Sequence, residues 1–350
     1  MQTVFIYEFL TAGGCWSINS EPPAGSLLAE GGAMRDALAE DFAAMGEVAV
    51  VQLMHDARLT PPNLPKQQLI PVHSTADERA RFRQLVQEAS ATVIIAPEFS
   101  GLLLDRVQVA EAAGGRLISP GSELVELASD KQRTSDHLAR RGVAVPLGSS
   151  FAGMPEVFDS SLFPAVIKPL DGAGSRHVRR VNSPDELQLV DWNESPRWRV
   201  EKFVPGLPVS AAVIGGPQGC TCLPPCEQIL SQDGRFAYLG GRTPLPLRLA
   251  KRATALAVAA AHSLPNLRGY VGIDMVLGSA ENGAGDVVIE INPRLTTSYI
   301  ALRRAGKQNL AQAMWQAAAG ESFRLSFSPQ SFEFTADGTI RDSAVSFPSD

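Results

Sequence analysis

The chain has 350 residues, enough for two or three domains with their own cores, and its 45% hydrophobic and 19% charged residues are the balance of an ordinary globular protein. A net charge of -6 argues against an electrostatic nucleic-acid binder, and the Arg179-Arg180 pair is too short to make a basic patch. Four cysteines in so long a chain make no disulfide framework, and no apolar run is long enough to span a bilayer, so a cytoplasmic protein is expected.

The opening MQTVFIYEFLTAGGCW faintly resembles a lipoprotein leader, but it lacks an early Lys or Arg, and Glu8 interrupts the apolar run. VFIYEF therefore reads as a first core strand. Leu27 to Met45 follows as an amphipathic helix, with Leu28, Met34, Leu38 and Phe42 near helical spacing. VAVVQL is a second strand, Ala76 to Ala89 a charged helix, TVIIAPE a third strand, and Leu102 to Ala113 a helix. RLISP reads as a fourth short strand. Strands alternating with helices imply an α/β layer with a parallel sheet over residues 1–120, whose ligands lie beyond the strand ends. No GxGxxG follows the first strand, so a dinucleotide fingerprint is absent.

Glu123 to Arg141 is charged and helical, with Ser129 as a candidate cap for a helix beginning at Asp130. Short strands VPLGSS, FPAVIKPL and SRHVRRV follow, and Ser183-Pro184 opens a further helix. WRVEKFV, SAAVIGG, CEQIL and FAYLGG are strands. Leu249 to Ser263 is an alanine-rich helix, and another helix spans Leu310 to Ala319. The last thirty residues read as short strands or a tail.

The chemistry concentrates in four stretches. In GYVGIDMVL and DVVIEINPR, two apolar runs flank a glycine-bearing loop, a hairpin pattern. Glu290 and Asn292 alternate onto one face, and the partner strand can bring Asp274 beside them. Two carboxylates and an amide oxygen suit a hard cation such as Mg2+; the alternative is an exposed face with solvated acids. Arg294 stands at the mouth of that strand, placed to face an anion. In VIKPLDGAGSRHV, Lys168 precedes a loop of Asp171, Gly172, Ala173, Gly174 and Ser175. Glycine N–H groups and a nearby lysine can cradle phosphate, although an ordinary hairpin loop has the same composition. Lys131 is a second basic residue upstream, at the start of a helix. In VEKFVPG, the strand end after Glu201 and Lys202 can present backbone groups and an apolar wall to a base.

In order, SDKQRT, FPAVIKPLDGAGS, VEKFVPG, GIDMV and VIEINPR resemble the ATP-grasp superfamily over residues 120 to 320. The resemblance implies a pre-ATP-grasp α/β domain at 1–120 and a two-part α+β ATP-grasp fold. Its small lid would span 121–195 and its Mg/ATP part 196–320, with short strands or a tail at 321–350. It implies that Lys131 and Lys168 contact ATP phosphates, and that Gly172 to Ser175, rooted at Asp171, form a flap. Glu201 would face the adenine amino group, and Lys202 and Val204 would offer backbone contacts. Asp274, Glu290 and Asn292 would hold Mg2+, with Mn2+ as a substitute, and Arg294 would face the transferred phosphate or the intermediate. Pro208 stands near the position where many relatives carry a ribose-binding acid. Gly272 stands where relatives of the D-alanine ligase type have an arginine.

YEFLTAGG, SLLAEGGAMRDAL and APE are similar to the tyramine–glutamate ligase branch. That branch implies ATP-dependent joining of a glutamate-like carboxylate and a primary amine through an acyl phosphate, in cofactor biosynthesis. Lys168 and Arg294 would serve the chemistry, and Glu30 and Glu98 become candidates to meet a cationic group. The expected partners are small-molecule acid and amine, with neither nucleic acid nor membrane, and a homodimer is the default assembly. Three other readings compete: a kinase of the same superfamily, a non-catalytic nucleotide-binding module, and a zinc site at Cys220, Cys222 and Cys226, which lacks a local fourth ligand.

Overall fold

The computed structural model describes residues 1–155, 159–172 and 177–342. Its first sheet holds β1 (Gln2–Glu8), β2 (Val48–Asp56), β3 (Gln67–Val72) and β4 (Ala91–Ile95) in the order β3-β2-β1-β4, all pairs parallel. Val4 and Ile6 of β1 enter one core, and Phe5 and Tyr7 enter another. A strand covered on both faces must be apolar in both registers. Helix α1 (Ser26–Ala44) fills the first core with Met34, Leu38 and Phe42. Helices α2 (Thr75–Glu88) and α3 (Leu102–Ala112) fill the second with Phe82, Leu85, Leu103 and Val107.

Two expectations for this layer fail. RLISP is no full strand; only Leu117 bridges to Thr92. The fourth strand is β3, QQLIPV, which two glutamines and a proline disguise. It lies at the sheet edge, where Pro71 costs little.

The helix expected over Glu123–Arg141 is two helices, α4 (Ser122–Ala128) and α5 (Lys131–Arg140). Asp130 breaks it: its backbone is extended, and its carboxylate accepts the N–H groups of Gln132 (3.0 Å) and Arg133 (2.9 Å). Ser129 is not the cap; its hydroxyl donates back to Val125 O.

The second sheet is antiparallel, with β5 (Gly148–Phe151), β6 (Ala165–Pro169), β7 (Arg179–Val181) and β8 (Trp198–Lys202) in the order β5-β8-β6-β7. It extends past the expected limit at residue 195, because β8 is its central strand and buries Trp198 and Val200 against Ile167.

The third sheet has eight strands: β9 (Leu207–Gly216), β10 (Gly219–Cys222), β11 (Cys226–Leu230), β12 (Tyr238–Thr243), β13 (Gly269–Leu277), β14 (Val287–Asn292), β15 (Phe332–Thr335) and β16 (Ile340–Asp342). Its order is β14-β13-β9-β11-β12-β15-β16, with β10 paired to β9. Helix α6 (Leu247–Ser263) lays Ala253, Ala257 and Ala260 on one face, where small side chains let the backbones approach. The other face is covered by α8 (Leu310–Ala319) and by α7 (Ser298–Ala305), a short helix that its own sequence did not announce.

The first and third sheets share a core. Leu38 and Phe42 of α1 belong to the same cluster as Tyr299, Leu310 and Met314. Asp41 reinforces the seam, accepting from Tyr299 Oη (2.5 Å) and Arg303 Nη2 (2.7 Å). That packing seats the N-terminal turn of α1 over the third sheet. No described helix is long and apolar enough to cross a membrane.

Candidate active site

A cleft of about 800 Å³ opens between the second and third sheets, with the N-terminal end of α1 on its wall. The β13–β14 hairpin forms part of its wall, and antiparallel pairing sets Asp274 opposite Glu290 and Gly272 opposite Asn292. Asp274 is held from both sides: Gln228 Nε2 donates to Oδ1 and Asn292 Nδ2 to Oδ2, each at 3.0 Å. Burial, and next the negative charge of Glu290, push its carboxyl up to about 6. Two acids face each other here, with Arg294 and Lys131 as nearby counter-charges. Lys131 Nζ lies 2.8 Å from Glu290 Oε1 and also donates to Gly172 O at 2.8 Å.

With Asn292 Nδ2 spent on Asp274, the amide Oδ1 is the atom left to face a ligand. Carboxylate and amide oxygens are the donors a hard divalent cation takes, and the like-charge repulsion is relieved by one, so these residues fit it. No group of three His, Cys, Asp or Glu side chains that could by themselves hold a metal ion occurs among the described residues. The remaining positions around such an ion would fall to water and phosphate oxygens.

On the opposite wall Lys168 Nζ pairs with Glu201 Oε1 at 2.5 Å. The second oxygen of Glu201 accepts from Arg199 Nε at 2.7 Å. Arg199 is 1% exposed and also binds Ser135 Oγ, Pro146 O and Gln132 Oε1. Sequence reasoning missed Arg199. Its signal was the i, i+2 spacing to Glu201, which puts both side chains on one face of β8. Glu201 lines the cleft, but two cations hold its carboxylate, so its first task is to fix Lys168. Past the strand end, Lys202 N–H is spent on Leu147 O and Phe203 N–H on Pro164 O, both at 2.8 Å. Val204 N–H, at the cleft wall, is taken by no described residue. Phe203 stacks on Phe236 with centroids 6.1 Å apart, and Arg180 lies over its other side at 4.2 Å, forming an apolar wall.

The flap falls partly outside the described residues: Ala173, Gly174 and Ser175 are among those not described. Gly172 lines the cleft, whereas Asp171 does not. The Asp171 carboxylate accepts Ser100 N–H at 3.1 Å, anchoring the root of the loop on the first domain.

Arg294 lines the far end of the cleft, its Nε 2.8 Å from the buried Glu98 Oε1 and its Nη1 donating to Leu295 O. Glu98 thus meets a cation, as its residue type allowed, but the cation belongs to the chain itself. Glu30 lines the cleft directly. Pro208 lines it as well and offers no side-chain acceptor. Gly272 is required by contact: a Cβ there would lie 2.5 Å from Thr296 Cγ2, so no arginine fits. Burial pushes the thiols of Cys222 and Cys226 up to about 12, and no group of three His, Cys, Asp or Glu side chains that could hold a metal ion occurs among the described residues.

The ATP-grasp domain family matches residues 128–298, and the pre ATP-grasp 3 domain family matches residues 49–125. The chain belongs to the ATP-grasp superfamily. A curated relative, tyramine–L-glutamate ligase from Methanocaldococcus jannaschii, is 22% identical over 343 residues, covering 96% of this chain and 95% of the relative. Among solved structures, an Archaeoglobus fulgidus protein described as of the ATP-grasp superfamily aligns with a TM-score of 0.71 at 23% identity, over 96% of this chain and 92% of that one. N5-carboxyaminoimidazole synthetase from Staphylococcus aureus, complexed with ADP, aligns with a TM-score of 0.69 at 16% identity, over 95% and 82%. In this ATP-grasp chain, the ATP-grasp match contains both lysines, Glu201, the three hairpin side chains and Arg294. Glu98 lies in the pre-ATP-grasp match, and Glu30 precedes both.

Proposed function

We propose that the protein joins a glutamate-like carboxylate to a primary amine such as tyramine, with ATP converted to ADP and phosphate. One observation supports this above the others: two lysines, the Asp274–Glu290–Asn292 oxygens and Arg294 all face a single cleft. ATP fits with its base against Phe203 and the Val204 N–H, and its phosphates toward Lys131, Lys168 and the loop after Gly172. A divalent cation, Mg2+ or Mn2+, held by Asp274, Glu290 and Asn292, supplies positive charge to the phosphates when bound. The lysines neutralise the charge that develops on the transferred phosphoryl group, and Glu201 with Arg199 keeps Lys168 in place.

An oxygen of the substrate carboxylate attacks the γ-phosphorus; that P–O bond forms as the bond to ADP breaks. The resulting acyl phosphate has a good leaving group. The amine nitrogen then attacks the acyl carbon, and Arg294, fixed by Glu98, faces the oxyanion until the C–O bond to phosphate breaks. Water must be kept out while the acyl phosphate exists.

The test is ADP release with L-glutamate, tyramine and a panel of other acids and amines. ADP release that needs both acid and amine, with an amide as product, is expected. Stable phosphorylation of an acceptor without amine would make the protein a kinase, and ATP binding without turnover would make it a nucleotide-binding module; either result overturns the reading.

A further inference from the structure

Among the acids in and beside the cleft, which the cations Arg180 and Lys202 also line, one is left without a hydrogen bond or ion pair from a described residue. Glu201 is matched by Lys168 and Arg199, and Glu98 by Arg294. Asp274 and Glu290 are the acids that a divalent cation and Lys131 offset. Glu30 is left over. It sits in the N-terminal part of α1, lines the cleft half-buried, and receives no hydrogen bond or ion pair from any described residue. Arg294 and the half-buried Tyr238 line the same cleft, and the charge of Glu30 raises the pKa of both. Burial raises the Glu30 carboxyl above its ordinary range, and Arg294 pulls it only partly back. A carboxylate kept at a cleft wall without a partner is costly unless a cation arrives.

The reaction supplies such a cation. An alkylamine reaches the site as its ammonium ion and cannot attack until it has lost a proton. In the ligase reading Arg294 faces the acyl oxygen, and Glu30 lines the cleft that holds it. We infer that Glu30 is the catalytic base of the amine half-reaction: its carboxylate binds the ammonium group of the incoming amine and accepts its first proton. This rests on the ligase reading above. The proton count closes. The ammonium gives one proton to Glu30, the freed amine attacks the acyl carbon, and the second proton leaves with the departing phosphate. One hydrogen stays on the amide, and Glu30 returns its proton to solvent.

Hydroxylamine provides the test, because near neutral pH it is mostly uncharged and attacks acyl phosphates without being deprotonated first. Wild-type protein, ATP and L-glutamate are assayed with tyramine for amide and with hydroxylamine for hydroxamate. In Glu30→Gln the ratio of amide to hydroxamate is expected to fall by about a hundredfold or more, the size of a lost general base. Glu30→Asp, which keeps the charge on a shorter arm, should give an intermediate ratio. An unchanged ratio overturns the inference. So does a parallel loss of both products with a raised half-saturating glutamate concentration, which would place Glu30 on the ammonium of the acid instead. Should Glu30→Gln fail to fold, the ratio in Glu30→Asp decides alone. If wild-type protein makes neither product with any acid of the panel, the ligase reading itself has failed, a different outcome from an unchanged ratio.

Discussion

Replacing Asp274 with asparagine should make the metal-free protein more stable while it destroys the site. The Asp274 carboxyl rises from 3.8 to about 6, through burial first and the charge of Glu290 second. Two pH units correspond to about 3 kcal/mol of cost for keeping the acid ionised. The side chain is only half-buried, and solvent screening reduces that to about 1–2 kcal/mol. Against the gain stands one hydrogen bond. Both Asp274 oxygens accept from amides, Gln228 and Asn292, and the new amide keeps one acceptor. A flip of Gln228 restores the pairing; without it about 1 kcal/mol is lost. The net gain is about 1 kcal/mol, on the order of 2 °C in Tm.

The sign with pH follows from an acid whose folded value is raised. Its contribution to stability is intact below the ordinary value of 3.8 and is lost as pH rises through about 6. The advantage of Asp274→Asn should therefore be largest at about pH 8 and vanish near about pH 4. Thermal unfolding in EDTA across that range measures it. The same melts with Mg2+ and ATP should show the wild type gaining stability from ligand and the variant gaining little. An advantage that grows toward acid pH, or a variant stabilised by Mg2+ and ATP as much as wild type, would refute the reasoning.

Arg199→Met should cost about 3–5 kcal/mol in urea unfolding and weaken ATP binding. It leaves Glu201 buried with Lys168 as its one remaining counter-ion and removes three further contacts of Arg199. Gly272→Ala should cost about 1–3 kcal/mol because its Cβ meets Thr296 Cγ2 at 2.5 Å. The same substitution in a Thr296→Ser background, where that methyl is gone, should recover most of the loss in paired thermal melts. Equal costs in both backgrounds would place the strain elsewhere.

The nucleotide end of the cleft was legible because each of its parts is local. Asp274, Glu290 and Asn292 sit on one hairpin, and strand alternation alone puts them on one face. Lys168 and Glu201 come from adjacent strands, β6 and β8, whose apolar residues announce them. Where the reading failed, polar residues misled it. The helix start expected at Asp130 holds to within one residue, but Asp130 and not Ser129 is the cap, since both residue types can cap. Pro71 and two glutamines hide β3, since an edge strand has one partner and needs little β-propensity. The Lys202 N–H is spent on Leu147 O, next to β5, so a backbone contact from Lys202 to a nucleotide would fall to its carbonyl.

The acceptor end was illegible for a different reason. Glu30, Glu98 and Arg294 lie on three separate elements, and no spacing rule connects them. What brings them together is the shared core of α1, α7 and α8, with Asp41 tied to Tyr299 and Arg303. A sequence shows that α1 has an apolar face, but not which sheet that face will meet. The resemblance to a ligase branch marked Glu30 and Glu98 as equivalent candidates, and the packing made them different. Glu98 is buried against Arg294 and fixes it, while Glu30, carried on a helix end at the open side, keeps its carboxylate for a ligand. Between two acids of one type, burial and the prior claim of an internal cation decide which can serve a substrate.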